Sequence, residues 1–182
     1  MDWTDGIGSM NIVLLGYRCS GKTTVGRILA RKMGRRFVDT DQMIGELTGR
    51  SISSIVLENG WDCFRELERE LIRKISRLDG LVVATGGGVV LDTENLINLK
   101  TNGFLVWLRA DSAIMKERLK GQEGSECSRP SLTGSDPIDE FDTVLESRKP
   151  LYENTANYEV DTTLITPEEA ANSIVKHLNG KA

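Results

Sequence analysis

A chain of 182 residues suits a single hydrophobic core, and a net charge of −4 with no basic stripe gives no footing for nucleic acid. Cys19, Cys63 and Cys127 show neither disulfide-framework nor metal-ligand spacing, which fits a reducing, cytoplasmic setting. Met1–Met10 lacks the basic start and apolar stretch of a signal peptide, and no apolar run reaches membrane-spanning length.

After an N-terminal extension over residues 1–10, a single domain is expected over 11–182. Asn11–Leu15 reads as a buried strand and Thr24–Met33 as a helix with Val25, Ile28 and Leu29 on one face. Between them stand Gly16-Tyr17-Arg18-Cys19-Ser20-Gly21-Lys22-Thr23, a phosphate-binding loop in the strand–loop–helix context that gives this motif its meaning. Its backbone N–H groups converge at the positive end of a helix and hold phosphates. Lys22 reaches the β- and γ-phosphates, and the Thr23 hydroxyl ligates Mg²⁺.

The strand Arg36–Val38 runs into Asp39-Thr40-Asp41, at the end of a strand where parallel sheets place ligands. Asp39 can support the Mg²⁺ shell through water. Asp41 can take a proton from an acceptor hydroxyl, or it can cap the helix Asp41–Leu47. Helices Ser53–Glu58 and Trp61–Leu78 follow. In the second, Phe64, Leu67, Leu71, Ile72, Ile75 and Leu78 form an apolar stripe that also contains Glu68, with Arg65 at its edge. Glu68 either orients Arg65 toward a ligand or forms a structural ion pair with it. Glu66, Arg69, Glu70 and Arg73 read as a solvated face.

The strand Leu81–Ala84 leads to Gly86-Gly87-Gly88, where missing Cβ atoms let a small polar ligand reach the backbone or let the chain turn tightly. A helix Thr93–Lys100, a strand Phe104–Leu108 and a helix Ser112–Lys120 come next. The irregular Gly121–Asp136, rich in Gly, Ser and Pro and carrying Arg129, reads as a mobile lid in preference to a disordered surface loop. A helix Pro137–Glu146 with Arg148 at its end, a strand Glu159–Asp161 and a helix Pro167–Leu178, opened by Thr166-Pro167, complete the chain. His177 lies beside the apolar face of that last helix and reads as structural. The alternation predicts a parallel sheet with helices on both faces.

In order and spacing these motifs resemble those of the shikimate kinases, from Asn11 to Leu178. The segments that carry the likeness are GYRCSGKTTVGRILA (16–30), Asp39-Thr40-Asp41, Phe64-Arg65-Glu66-Leu67-Glu68, Ala84-Thr85-Gly86-Gly87-Gly88-Val89-Val90, Arg129-Pro130 and Arg148-Lys149-Pro150-Leu151-Tyr152. The resemblance implies a three-layer α/β fold like that of the nucleoside monophosphate kinases, with a central five-stranded parallel sheet and a lid over about 121–136. It implies transfer of the ATP γ-phosphoryl group to the 3-hydroxyl of shikimate, a step toward aromatic amino acids, by a monomeric, Mg²⁺-dependent cytoplasmic enzyme. Carried over residue by residue, it implies that Asp41, Arg65, Gly87 and Arg148 bind shikimate, flanked by Gly86 and Gly88. Cys19, Ser20, Gly21, Lys22, Thr23 and Thr24 would wrap the ATP phosphates, and Lys22, Asp41 and Arg129 would be the catalytic groups.

Two positions depart from the family pattern. Cys19 stands where a glycine is common, and Gln122 or its neighbours stand where many members carry a basic residue ahead of the lid arginine. Two other readings remain open on the residues alone: a gluconate-type sugar-acid kinase and a nucleotide-binding regulatory switch. The Arg65/Glu68 helix with the glycine triple favours shikimate over gluconate. A switch has no need of Arg65 and Arg148.

Overall fold

β1 (Asn11–Leu15) is buried at every position, as a central strand covered on both faces must be. In the computed structural model, which describes residues 10–121 and 140–180, β1 stands third in a five-stranded sheet of order β2-β3-β1-β4-β5. The other strands are β2 (Arg36–Asp39), β3 (Leu81–Ala84), β4 (Gly103–Arg109) and β5 (Tyr158–Asp161), and every pairing is parallel. Val13 lies opposite Val83 on one side and Leu105 on the other.

Alternate residues feed two cores. Ile12 and Leu14 join Val82 and Val106 beneath α1 (Lys22–Met33) and α7 (Pro167–Asn179). Val13 and Leu15 join Val83 and Leu105 on the other face. There they meet side chains of α2 (Thr40–Thr48), α3 (Ile52–Ile75), α4 (Thr93–Thr101), α5 (Ser112–Lys120) and α6 (Phe141–Thr155). Full burial of a side chain such as Phe64 contributes about 1.5–3 kcal/mol. The strand order reverses about β1, which places the ligand crevice outside the carboxyl ends of the central strands.

The predicted architecture holds: a three-layer α/β fold around five parallel strands. Several boundaries move. Gly60, at φ 80° and ψ 170°, breaks α3 into the two helices expected from the sequence. The second of these ends at Ile75, so Leu78 lies beyond it and is 48 % exposed instead of joining the stripe. The larger correction is α6. It does not stop at Glu146 but runs through Pro150 to Thr155, and Arg148 stands inside it, not at its end. A proline costs the helix one backbone hydrogen bond. Phe141, Val144, Arg148 and Tyr152, all buried along one face, hold the helix together across that gap. Val89–Leu91 forms a short 3₁₀ turn that the sequence did not suggest.

The expected lid, with Gln122 and Arg129, lies outside the described residues apart from Gly121, as does the N-terminal extension apart from Met10. Among the described residues no helix is long and apolar enough to cross a membrane.

Candidate active site

The phosphate loop bends from β1 into α1, and Gly21 precedes the helix in the left-handed region. No side chain caps the first turn of α1, so its N–H groups are left to a ligand. Cys19 also adopts the left-handed conformation, at φ 60°, the only non-glycine to do so among the described residues. That conformation costs an L-residue about 1–2 kcal/mol, which explains why glycine suits this position better. Lys22 Nζ folds back over the loop and donates to the Tyr17 carbonyl at 2.7 Å.

Thr23 Oγ1 donates to Asp39 Oδ2 at 2.7 Å, so the hydroxyl and the carboxylate expected around a metal ion do stand together. The other oxygen of Asp39 accepts from the backbone N–H groups of Asp41 and Gln42 and caps α2. The side-chain cap of α2 is therefore Asp39 and not Asp41. Thr40 holds the next strand end in place: its hydroxyl accepts the Gly86 N–H at 3.1 Å.

The anion-binding half is built from buried side chains. Arg65 Nη1 donates to Glu68 Oε2 at 2.7 Å, and the Arg65 guanidinium lies over the rings of Trp61 and Phe64. Glu68 is fully buried, and its Oε1 has no hydrogen-bond partner among the described residues. Burial pushes its carboxyl above the usual range, and the Arg65 charge opposes the rise. Gly88 makes room for Arg65: a Cβ there would sit 2.7 Å from the guanidinium carbon and 2.8 Å from Nη1.

Arg148 is 6 % exposed and donates to the Gly87 carbonyl at 3.1 Å, and the Tyr152 hydroxyl donates to the same oxygen. No carboxylate pairs with Arg148 among the described residues. Burial lowers its pKa, and the nearby Arg65 and Arg18 charges add to the effect. Arg148 thus lies within the field of Arg65 and has no carboxylate partner among the described residues, and negative charge of the kind a carboxylate ligand carries would relieve it.

The structure brings together Arg65, Gly86, Gly87, Gly88 and Arg148 at one end of the sheet, next to the phosphate loop, and Asp41 follows directly on Thr40, which is bonded to Gly86. Sequence reasoning missed Arg118. From the last turn of α5 it donates to the Cys19 carbonyl at 3.3 Å and to the Thr162 carbonyl at 2.7 Å, while Thr162 Oγ1 donates to the Ser20 carbonyl. A basic residue in a last helical turn is common enough to hide such a role. His177 stacks on Tyr158 with ring centroids 3.8 Å apart, on the opposite layer from the site, as a structural histidine would.

Known proteins resemble this chain over nearly its whole length. The family model described as Shikimate kinase matches residues 18–179. The shikimate kinase of Thermodesulfovibrio yellowstonii is 42 % identical over 175 residues, covering 94 % of this chain and 98 % of that protein. The shikimate kinase of Symbiobacterium thermophilum is 38 % identical, covering 93 % of this chain and 96 % of that protein. The structure of shikimate kinase from Acinetobacter baumannii in complex with shikimate superposes with a TM-score of 0.87 at 32 % identity, covering 94 % of each chain.

Proposed function

Since this chain belongs to the shikimate kinase family, we propose that it transfers the γ-phosphoryl group of ATP to the 3-hydroxyl of shikimate and releases ADP. The observation that carries this reading is the pair Arg65 and Arg148, held beside the phosphate loop with no carboxylate among the described residues pairing with Arg148.

In this reading the loop from Cys19 to Thr24 wraps the phosphates with its backbone N–H groups, and Lys22 leaves the Tyr17 carbonyl to meet the transferring phosphoryl. Arg65 and Arg148 grip the substrate carboxylate and so fix the ring. Asp41 faces the attacking hydroxyl and takes its proton as the new O–P bond forms and the bond to the leaving β-phosphate oxygen breaks. Glu68 acts through Arg65 by fixing its orientation. Arg129, outside the described residues, is assigned to the phosphates on the family resemblance alone.

The oxygens of Thr23 and Asp39, 2.7 Å apart beside the helix N-terminus, are hard donors of the kind Mg²⁺ takes. Thr23 would hold the ion directly and Asp39 through water, and the bound ion would neutralise charge on the phosphates. The division into an N-terminal extension, one kinase domain and a lid over about 121–136 belongs to the same reading. So do a monomeric state, because every assigned residue lies on one chain, and a cytoplasmic location, where ATP is found.

The test is a coupled assay for ADP with shikimate, with gluconate and with no acceptor. Rapid ADP release with shikimate alone supports the assignment. Equal release in all three, or a preference for gluconate, overturns it.

A further inference from the structure

The charged face of α3 does more than meet solvent. Arg69, which the sequence places on a solvated face, reaches across to Asp92, with Nη1 3.0 Å from Oδ2 and side-chain exposures of 30 % and 16 %. Its Nη2 lies 3.1 Å from Oε2 of Glu66, which is 71 % exposed, so solvent screens that arm more than the Asp92 arm. Asp92 is also used at both oxygens: Oδ1 accepts the Asn95 N–H at 3.1 Å and caps α4. Burial works against a charge there, but the Asn95 N–H and the Arg69 guanidinium outweigh it and hold the Asp92 carboxyl below its usual range. The pair is therefore ionised at neutral pH.

Position gives the pair its meaning. Arg69 stands about one helical turn beyond Arg65 on α3, and Arg65 lies against Gly88. Arg65, Arg69, Leu91 and Asp92 line one surface depression. Backbone bonds run from the Val89 N–H to the Gly86 carbonyl at 3.1 Å, from the Leu91 N–H to the Gly88 carbonyl at 3.0 Å and from the Asp92 N–H to the Val89 carbonyl at 3.4 Å. They tie Asp92 to the glycine triple, so a shift at one is passed to the other. Phe64, Leu71, Val89 and Val90 share the apolar core beneath. Burial of that kind is non-directional and does not by itself set how α3 sits along the segment, whereas a hydrogen-bonded ion pair does.

The clamp is split across these two elements. Arg65 belongs to α3, and Arg148 is docked on the Gly87 carbonyl at 3.1 Å. The gap between the guanidiniums, which the substrate carboxylate has to bridge, follows the seating of α3 on residues 86–92. We propose that Arg69 is a positioning residue of the acid clamp: paired with Asp92, it fixes the seating of α3 on the glycine segment and so sets Arg65 at its working distance from Arg148. The inference rests on the reading of Arg65 and Arg148 as the substrate clamp given above.

Arg69→Met should raise KM for shikimate roughly five- to tenfold, within what a misplacement of an ångström or less costs. KM for ATP and kcat should stay within about twofold of wild type. Asp92→Asn, which keeps an oxygen for the Asn95 N–H and removes the charge, should do the same, and Arg69→Met/Asp92→Asn should be no worse than either single variant. Glu66→Gln, which breaks only the exposed arm, should leave KM for shikimate at the wild-type value. In an Arg65→Ala background, where α3 has no clamp arginine left to place, Arg69→Met should add less than about twofold. Mere support of the fold would not make the effect of Arg69 depend on Arg65. If Arg69→Met proves unstable in a thermal melt, Arg69→Gln is read in its place with the same expectation.

The inference is overturned if Arg69→Met or Asp92→Asn keeps the wild-type KM for shikimate, if Glu66→Gln raises it as much, or if Arg69→Met raises it equally with and without Arg65. Wild-type protein that turns over shikimate while the variants behave in one of these ways overturns this inference alone. Wild-type protein that does not turn over shikimate overturns the functional reading as well.

Discussion

The two halves of the site are built from different materials. The phosphate end is local backbone: Gly16 to Thr23 is one contiguous stretch, and its donors are the unsatisfied N–H groups at the start of α1. The acid end is distant side chains: Asp41 from α2, Arg65 from α3 and Arg148 from α6, brought together around Gly86-Gly87-Gly88 by packing. The first tolerates a strained Cys19 because a loop can be braced, here by Arg118 on its carbonyl. The second depends on burial, since the fully buried Glu68 is committed to Arg65 and the nearly buried Arg148 has no carboxylate partner among the described residues. Damage to one half should therefore leave the other intact.

The largest effect expected falls between the halves, on the reacting hydroxyl. Asp41→Asn removes the proton acceptor and should lower kcat roughly 10²–10⁴-fold. Nucleotide affinity should hold, because Asp39 and not Asp41 caps α2 and faces Thr23. Steady-state kinetics with equilibrium ATP binding checks both parts, and near-full turnover would leave Asp41 without its assigned task.

Arg65→Ala loses one charge-assisted contact with the acid, about 1.5–3 kcal/mol, and should raise KM for shikimate roughly 10- to 150-fold with KM for ATP unmoved. Gly88→Ala attacks the same residue by sterics. The new Cβ displaces the guanidinium, and a misplacement of that kind costs up to roughly a hundredfold in kcat/KM. Since the displaced group is the side-chain tip that pairs with Glu68, the melting temperature should fall by no more than it does in Arg65→Ala. A larger loss of stability in Gly88→Ala would show that the glycine serves the fold and not the clamp.

How far the sequence disclosed these halves follows from the same contrast. The phosphate loop was legible because motif, strand and helix are consecutive. The pairing of Arg65 with Glu68 was legible because helical periodicity places a carboxylate in an apolar stripe. Arg148 was seen, but its helix was expected to end at Glu146, and the burial of one face, with Tyr152 and Arg148 anchored on the Gly87 carbonyl, carries α6 through Pro150. Arg118 on Cys19 and Arg18 on Glu140 join residues 99 and 122 positions apart, and no local pattern marks such pairs.

Stability gives a separate, pH-dependent signature. Burial holds the Glu68 carboxyl above its ordinary value, and Arg65 opposes that shift. A carboxyl raised in the folded state favours folding at low pH and loses that contribution as pH rises through its folded value. Arg65→Ala raises it further. The variant should therefore be destabilised by about 3 kcal/mol at neutral to alkaline pH, the low end for one partner lost from a buried pair, and by less at pH 5. Denaturant melts at two pH values read this directly, and a penalty that grew toward acid would contradict it.

The smallest effect belongs to Cys19→Gly. Relief of the left-handed strain, about 1–2 kcal/mol, is partly offset by about 0.5–1 kcal/mol of extra unfolded-state entropy. The net gain in thermal stability should be slight and KM for ATP nearly unchanged. A marked loss of ATP affinity would mean that the thiol, and not only the backbone, serves the phosphate end.

Calorimetric titration of Arg148→Ala with shikimate and, separately, with a non-hydrolysable ATP analogue tests the separation of the two halves most directly. The account predicts that shikimate affinity falls roughly 10- to 150-fold while nucleotide affinity stays close to that of the wild-type protein. Unchanged shikimate affinity, or an equal loss of both ligands, would contradict it.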